Sequence, residues 1–309
     1  MDRVANWGPV KMGLDWAKSH SLPGFGGVPT YDVILFIIKE AQRDDIVTRA
    51  NSMAFSFFLA LFPTVIFLFT LTAYFPIADN ILPAMKDYLD QIMPTKAGDY
   101  LFKMIVDVVA IQRGGLLSLG FFTAIYFASN GMMNMMRGFE KSYPQSFKNR
   151  NMFQKRWIAI QLTLLSVVLT LVSVTLVVLW NLLLKWLSGV FDIDFLQSTA
   201  FVFIQYLIVA ITLYTIISII YRFGPAFYEK LSWFSPGTSL ATALSLLSSL
   251  GFSYFVNNYG AYNQLYGAIG ALIVILLWIQ INCFIILVGY ELNASIRVNR
   301  DLRNSNHLS

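Results

Sequence analysis

Catalysis or metal binding in this chain would have to be built from very few groups. There are two histidines, His20 and His307, both in polar terminal segments, and one cysteine, Cys283. A single cysteine excludes an intramolecular disulfide, a thiolate metal cage and an iron–sulfur cluster. The chain has no G-x-S-x-G elbow, no phosphate-binding P-loop and no H-E-x-x-H pair. A hydrolase needs a carboxylate or histidine beside the reacting bond, and a metal needs a ligand set. The 17 acidic residues are dispersed, so the sequence points to a non-enzyme with no catalytic residue, no metal site and no cofactor.

What chemistry remains is that of amides, hydroxyls and a few charges near the ends of apolar runs. One group comprises Asn51, Ser56, Asn130, Asn134, Arg222 and Glu291, with Ser52, Gln161 and Asn293 nearby. Such residues at one depth are expected to line a polar groove. Arg222 and Glu291 end different apolar runs at that depth, so an ion pair between them, acting as a latch, is expected. A second group, Tyr262, Asn263, Tyr266 and Gly267, lies in a stretch without charge. It forms a candidate outer gate, although Asn and Gly also suit a tight turn and Tyr a membrane interface. Pro63 interrupts an apolar run and is a candidate hinge, because proline removes a backbone donor.

The elements that must position these residues follow from composition. Of 309 residues, 57% are apolar and only 13% charged, against about 45–50% and roughly 25% in a soluble domain. The mean hydropathy is +0.61. Charge-free runs long enough for a bilayer core of about 20 residues per helix predict six spans at about 52–76, 115–136, 157–184, 195–221, 236–256 and 267–290. Leu231 to Tyr290 contains no Asp, Glu, Lys or Arg; it is read as two spans joined by a polar hairpin over Asn257–Gln264. The runs are continuous rather than alternating, which argues against a β-barrel.

The predicted architecture is an all-α polytopic membrane protein with six transmembrane helices. Amphipathic helices are expected before the first span (31–42) and between the first two (81–112, broken at Pro83 and Pro94). The chain divides into an N-terminal segment (1–50), a six-helix domain (51–295) and a tail (296–309). No signal peptide is expected. In the fifth span, Ala241, Ser245, Ser249 and Ser253 recur every fourth residue, a stripe that suits close helix packing.

Basic residues set the orientation. Residues 1–50 hold six, 137–156 six, 222–230 two and the tail three, against four in 79–113 and Lys185 alone in the next outer loop. That asymmetry of 17 to five predicts both termini in the cytoplasm. The net charge of +5 therefore reflects topology and contact with lipid headgroups rather than nucleic acid.

Several segments resemble the YihY/virulence factor BrkB family of bacterial inner-membrane proteins. They are Asn51 through Pro63, Ser118–Gly120, Phe127 through Gly131 to Glu140–Tyr143, Tyr221-Arg222 with Pro225, and Pro236-Gly237. The most specific are Leu250–Val256, Tyr262-Asn263 with Tyr266-Gly267, Leu277-Trp278, and Leu287 through Gly289 and Glu291 to Ala294. The resemblance covers about residues 50–295. It implies six helices, cytoplasmic termini and the bacterial inner membrane. Some members carry an old ribonuclease label, and others have been linked to virulence, serum resistance or lipid export. The reading that joins resemblance and residues is a transporter or flippase for a lipid or amphipathic solute, whose partners are membrane lipids. The alternative is a non-transporting scaffold or envelope-integrity protein acting through protein partners.

Overall fold

The computed structural model describes residues 18–21, 24, 27–35, 46–72, 74, 86, 102–103, 106, 114–140, 146–188, 194–258 and 261–306. Six long helices account for most of them: α1 (Ile46–Thr72), α2 (Gly114–Gly138), α3 (Met152–Ser188), α4 (Asp194–Phe223), α5 (Pro236–Asn258) and α6 (Ala261–Asn306). Each contains a stretch long and apolar enough to cross a membrane. The all-α, six-span architecture expected from the sequence is thus present.

The helices outrun the hydrocarbon, because backbone hydrogen bonds continue where hydropathy fades. α6 has 46 residues, or about 69 Å at 1.5 Å per residue, so the expected tail after residue 295 is helical to Asn306. The expected polar hairpin shrinks for the same reason: α5 runs to Asn258 and α6 starts at Ala261. α1 ends at Thr72, before the expected boundary at 76, with a turn in which the Tyr74 amide donates to Leu71 O at 3.1 Å. It runs through Pro63 without interruption. The proline lacks the N–H that would reach the Leu59 carbonyl.

Each helix packs on its neighbours in sequence, and α6 returns to pack on α1, so the six form a closed ring. The α4–α5 seam is the least extensive. We call the end that holds the 139–151 and 224–235 linkers the basic end. Burial is concentrated there. Met53, four methionines of α2 (Met132, Met133, Met135, Met136), Ile217 to Tyr221 of α4, Ala241, Leu287 and Tyr290 build one core. Away from that end burial thins on α3, α4 and α5, while α1 and α2 stay close: Thr70 is fully buried, and a β-carbon on Gly120 would lie 3.2 Å from Phe67 Cα. On α5, Ser253, Tyr254, Phe255 and Val256 are exposed in succession, and on α3 Leu164, Leu165, Val167 and Val168 are exposed. Contacts continue between these residues at fewer points: Leu169 of α3 packs on the core, and the Phe252 ring of α5 lies 6.2 Å from that of Trp278 on α6. The small-residue stripe follows the same gradient of burial: Ala241 and Ser245 are buried, Ser249 half-buried and Ser253 exposed.

Of the expected first amphipathic segment, residues 30–35 are helical. Val28 and Val33 are buried against Leu292 and Ile296, and the Ser295 hydroxyl donates to Val33 O at 3.0 Å. This segment covers α6. Almost all of the second expected amphipathic region, 81–112, lies outside the described residues.

Candidate functional site

The basic end is closed by side chains of one helix satisfying the ends of others. A helix leaves its last carbonyls and first amides without internal partners. At the end of α2, Arg49 of α1 donates to Gly138 O at 2.5 Å, and Tyr290 of α6 donates to Phe139 O at 2.6 Å. Tyr221 of α4 donates to Ile286 O at 2.6 Å. The Phe139 ring lies 4.2 Å from that of Tyr290 and meets Tyr221 edge-on at 5.9 Å. These groups join α1, α2, α4 and α6 in one buried plug.

The plug contains a charge pair. Glu291 is 0% exposed and accepts from Arg49 Nη2 at 3.1 Å; the Arg49 side chain is 21% exposed. This corrects the pairing expected from sequence. Glu291 faces Arg49, and Arg222 turns away into the linker. There Arg222 donates to Leu231 O and lies 4.9 Å from the Trp233 ring centroid. Depth along the bundle matched Arg222 to Glu291, but azimuth around α6 chose Arg49. The signal for Arg49 was available: it sits one turn before Met53, on the side of α1 that also carries Ile46. Asn293, the next residue but one after Glu291, holds the start of α5. Its Oδ1 accepts from the Gly237 amide at 2.9 Å and its Nδ2 donates to Ser235 Oγ at 2.9 Å. Ser235 also accepts from the Thr238 amide at 3.3 Å, so α5 starts with a serine cap, a proline at its first position and a second cap supplied by α6.

The remaining amides and hydroxyls of the expected groove are divided among three seams. Gln280 of α6 donates to Asn51 Oδ1 at 2.7 Å. Asn134 of α2 donates to Ser56 Oγ on α1 at 2.6 Å, and Arg137 donates to Asn134 Oδ1 at 3.2 Å. Arg156 of α3 donates to Asn130 Oδ1 and stacks on Tyr126 of α2, 4.5 Å from its centroid. Asn130 and Asn134 lie on the face of α2 turned away from the buried methionines, as their helical positions require. The candidate gate residues Tyr262, Asn263, Tyr266 and Gly267 occupy the first turns of α6; their side chains lie outside the described residues.

The linkers form a charged layer over the plug. Arg150 donates to Phe223 O, Gly224 O and Pro225 O at 3.3, 2.8 and 3.1 Å, meeting the carbonyls at the negative end of α4. Burial lowers its pKa, against the pull of Glu140. An antiparallel bridge pairs Phe147 with Phe227. Glu229 accepts from Arg297 at 2.7 Å, and this hydrogen bond together with the Arg297 charge holds its carboxyl below the usual range. Among the described residues no three of His, Cys, Asp and Glu come together as a metal site.

Comparison with known proteins places this architecture. A profile described as Virulence factor BrkB matches residues 37–308. The chain is 29% identical over 260 residues to a putative ribonuclease-like protein, YfkH, of Bacillus subtilis, covering 84% of this chain and 93% of that one. It is 21% identical over 274 residues to a UPF0761 membrane protein of Vibrio campbellii, covering 84% and 81%. A UPF0761 membrane protein of Aeromonas salmonicida is 21% identical over 268 residues, covering 84% and 87%. No solved structure matches. With nearly nine-tenths of its length inside the profile and six apolar helices closed into a ring, the chain belongs to the virulence factor BrkB family of multi-pass membrane proteins.

Proposed function

We propose that this protein moves a lipid or amphipathic solute across the bacterial cytoplasmic membrane, without catalytic chemistry and with both termini in the cytoplasm. The observation that carries this reading is the one-ended packing of the ring. Its basic end is plugged by Arg49, Glu291, Phe139, Tyr221 and Tyr290, whereas large apolar side chains of α3, α4 and α5 are exposed away from it. A bundle that served only as an anchor gains by packing along its whole length, since each unfilled seam forgoes dispersion contacts. A ring held at one end can admit a solute from the other and from the bilayer at the side. A buried ion pair and helix-end hydrogen bonds form a discrete closure of the kind two-state transporters use.

Reconstitution tests the reading. Vesicles of phosphatidylethanolamine and phosphatidylglycerol containing a headgroup-labelled fluorescent phospholipid are treated with an impermeant quencher. Protein-containing vesicles are expected to lose their inner-leaflet signal as well, while empty vesicles keep about half. Equal quenching with and without protein would overturn the reading and leave the scaffold alternative. The same preparation is expected to leave RNA intact.

Orientation is tested with single cysteines in a Cys283→Ala background and an impermeant thiol reagent. Labelling from outside is expected at positions 188 and 258 and protection at 146 and 305, following the 17-to-five distribution of basic residues. The reverse pattern would refute the assignment.

A further inference from the structure

The α4–α5 seam, where the ring is least closed, contains a groove of about 670 Å³. Its walls include Ala210, Ile211 and Tyr214 of α4, Trp233 and Phe234 of the linker and Thr242 of α5. The volume is within the usual range of about 300–1,000 Å³ for small-molecule sites. On α4 the groove runs from Ser218, whose hydroxyl donates to Trp233 O of the linker, down to Ala210. Eight residues of helix separate those two, about 12 Å at 1.5 Å per residue, a little under half of a hydrocarbon core about 30 Å thick. Its length is therefore close to that of one leaflet.

The groups in the groove and beside its linker end suit a molecule with a charged end. Arg222 lies over Trp233, and Lys230 lies 4.5 Å from the Phe223 ring centroid, so two cations stand at the linker end. The neighbouring carboxylate, Glu229, is engaged by Arg297 and Arg300. Deeper, Thr242 is 7% exposed, and its hydroxyl has no hydrogen-bond partner among the described residues. That is unusual in this chain: Thr64, Thr70, Thr163, Thr212 and Thr215 all donate to the carbonyl four residues earlier. A buried hydroxyl without a partner is costly, and an ester or phosphate oxygen in the groove would satisfy it.

We infer that the α4–α5 groove is a binding site for an anionic glycerophospholipid of the leaflet at the basic end. The acyl chain lies along Ala210, Ile211 and Tyr214, the ester region reaches Thr242, and the phosphate meets Arg222 and Lys230. An apolar solute without charge would gain no attraction from the two cations. The inference rests on the transport reading only for the site's role: adduct formation tests binding and lipid movement tests transport, so either can fail alone.

The experiment uses the full chain in vesicles of phosphatidylethanolamine with a quarter phosphatidylglycerol, carrying a trace of phosphatidylglycerol with a photoactivatable acyl chain. Adducts are expected on peptides from residues 203–222 and 231–245. Ala210→Phe, which fills the groove, and Arg222→Gln are each expected to lower adduct yield about tenfold, the scale of one charged contact near 1.4 kcal/mol. Thr242→Val keeps the shape and removes the hydroxyl; roughly threefold loss is expected. Should Ala210→Phe fold poorly, as judged by size exclusion, Arg222→Gln and Thr242→Val carry the test. Equal labelling by photoactivatable phosphatidylcholine, or adducts unchanged in these variants, would mean annular lipid only and overturn the site. A disulfide dimer formed through Ile211→Cys would assign the groove to a second copy and overturn it equally.

Discussion

Replacing Glu291 with alanine is expected to cost about 3–5 kcal/mol of stability, the range for removing one partner of a buried ion pair. Glu291 has no exposed surface, and its partner Arg49 sits only one turn into α1. Removal leaves a guanidinium facing a cavity among Tyr290, Met53 and the end of α2. Arg49 retains its bond to Gly138 O at 2.5 Å, which makes the loss smaller than full expulsion of the arginine. A double-mutant cycle on thermal stability in detergent isolates the pair. Arg49→Met and Glu291→Gln are expected to show a coupling on the order of 2 kcal/mol, whereas Arg222→Gln and Glu291→Gln should simply add. Strong coupling to Arg222 and none to Arg49 would show that the observed pairing is wrong. If the pair also holds the plug closed, Glu291→Gln should speed lipid movement in the quenching experiment even where the protein remains folded.

The contrast between Arg49 and Arg222 shows where the sequence stops being informative. Span number, helical class and the basic asymmetry are properties of composition along the chain, and long charge-free runs state them directly. Which carboxylate meets which guanidinium depends on rotation about each helix axis and on the order of helices around the ring. Neither is written in hydropathy, because α6 is apolar on all sides around Leu277 and Trp278. The groove expected from Asn51, Ser56, Asn130 and Asn134 illustrates the same point. All four lie near one depth, yet their partners Gln280, Asn134, Arg156 and Ser56 divide them among separate seams. Caps were only half legible. Pro236-Gly237 marks the start of a helix locally, but the second cap comes from Asn293, 56 residues away.

Gly237→Ala is expected to be the most damaging single-methyl change in the bundle. A β-carbon there would lie 2.0 Å from Gly289 O and 2.6 Å from Asn293 Cγ, one of them backbone and the other the cap that holds α5. Gly289 is confined in return by Tyr221 Oη at 2.6 Å and by Ala241 Cβ and Gly237 O, both at 2.7 Å. Neither position has a positive φ, so the demand is for close approach of two backbones rather than for a left-handed turn. Relief requires α5 to withdraw from α6, which breaks the Asn293 cap and opens the core beside Ala241. Overpacking alone costs about 1–3 kcal/mol, and loss of the cap adds about 1, so most of the variant is expected to fail as a monodisperse species on size exclusion. Intrinsic propensity acts the other way, favouring alanine over glycine in a helix by up to about 1 kcal/mol. Gly251→Ala, in the same helix, isolates that term: its added β-carbon meets nothing within 4 Å, and the variant should equal or slightly exceed the parent in thermal stability. Indistinguishable behaviour of the two variants would show that α5 and α6 are not in backbone contact. The expected difference would instead place the rigid seam of the ring at α5–α6, leaving α4–α5, with its groove, as the seam that can open.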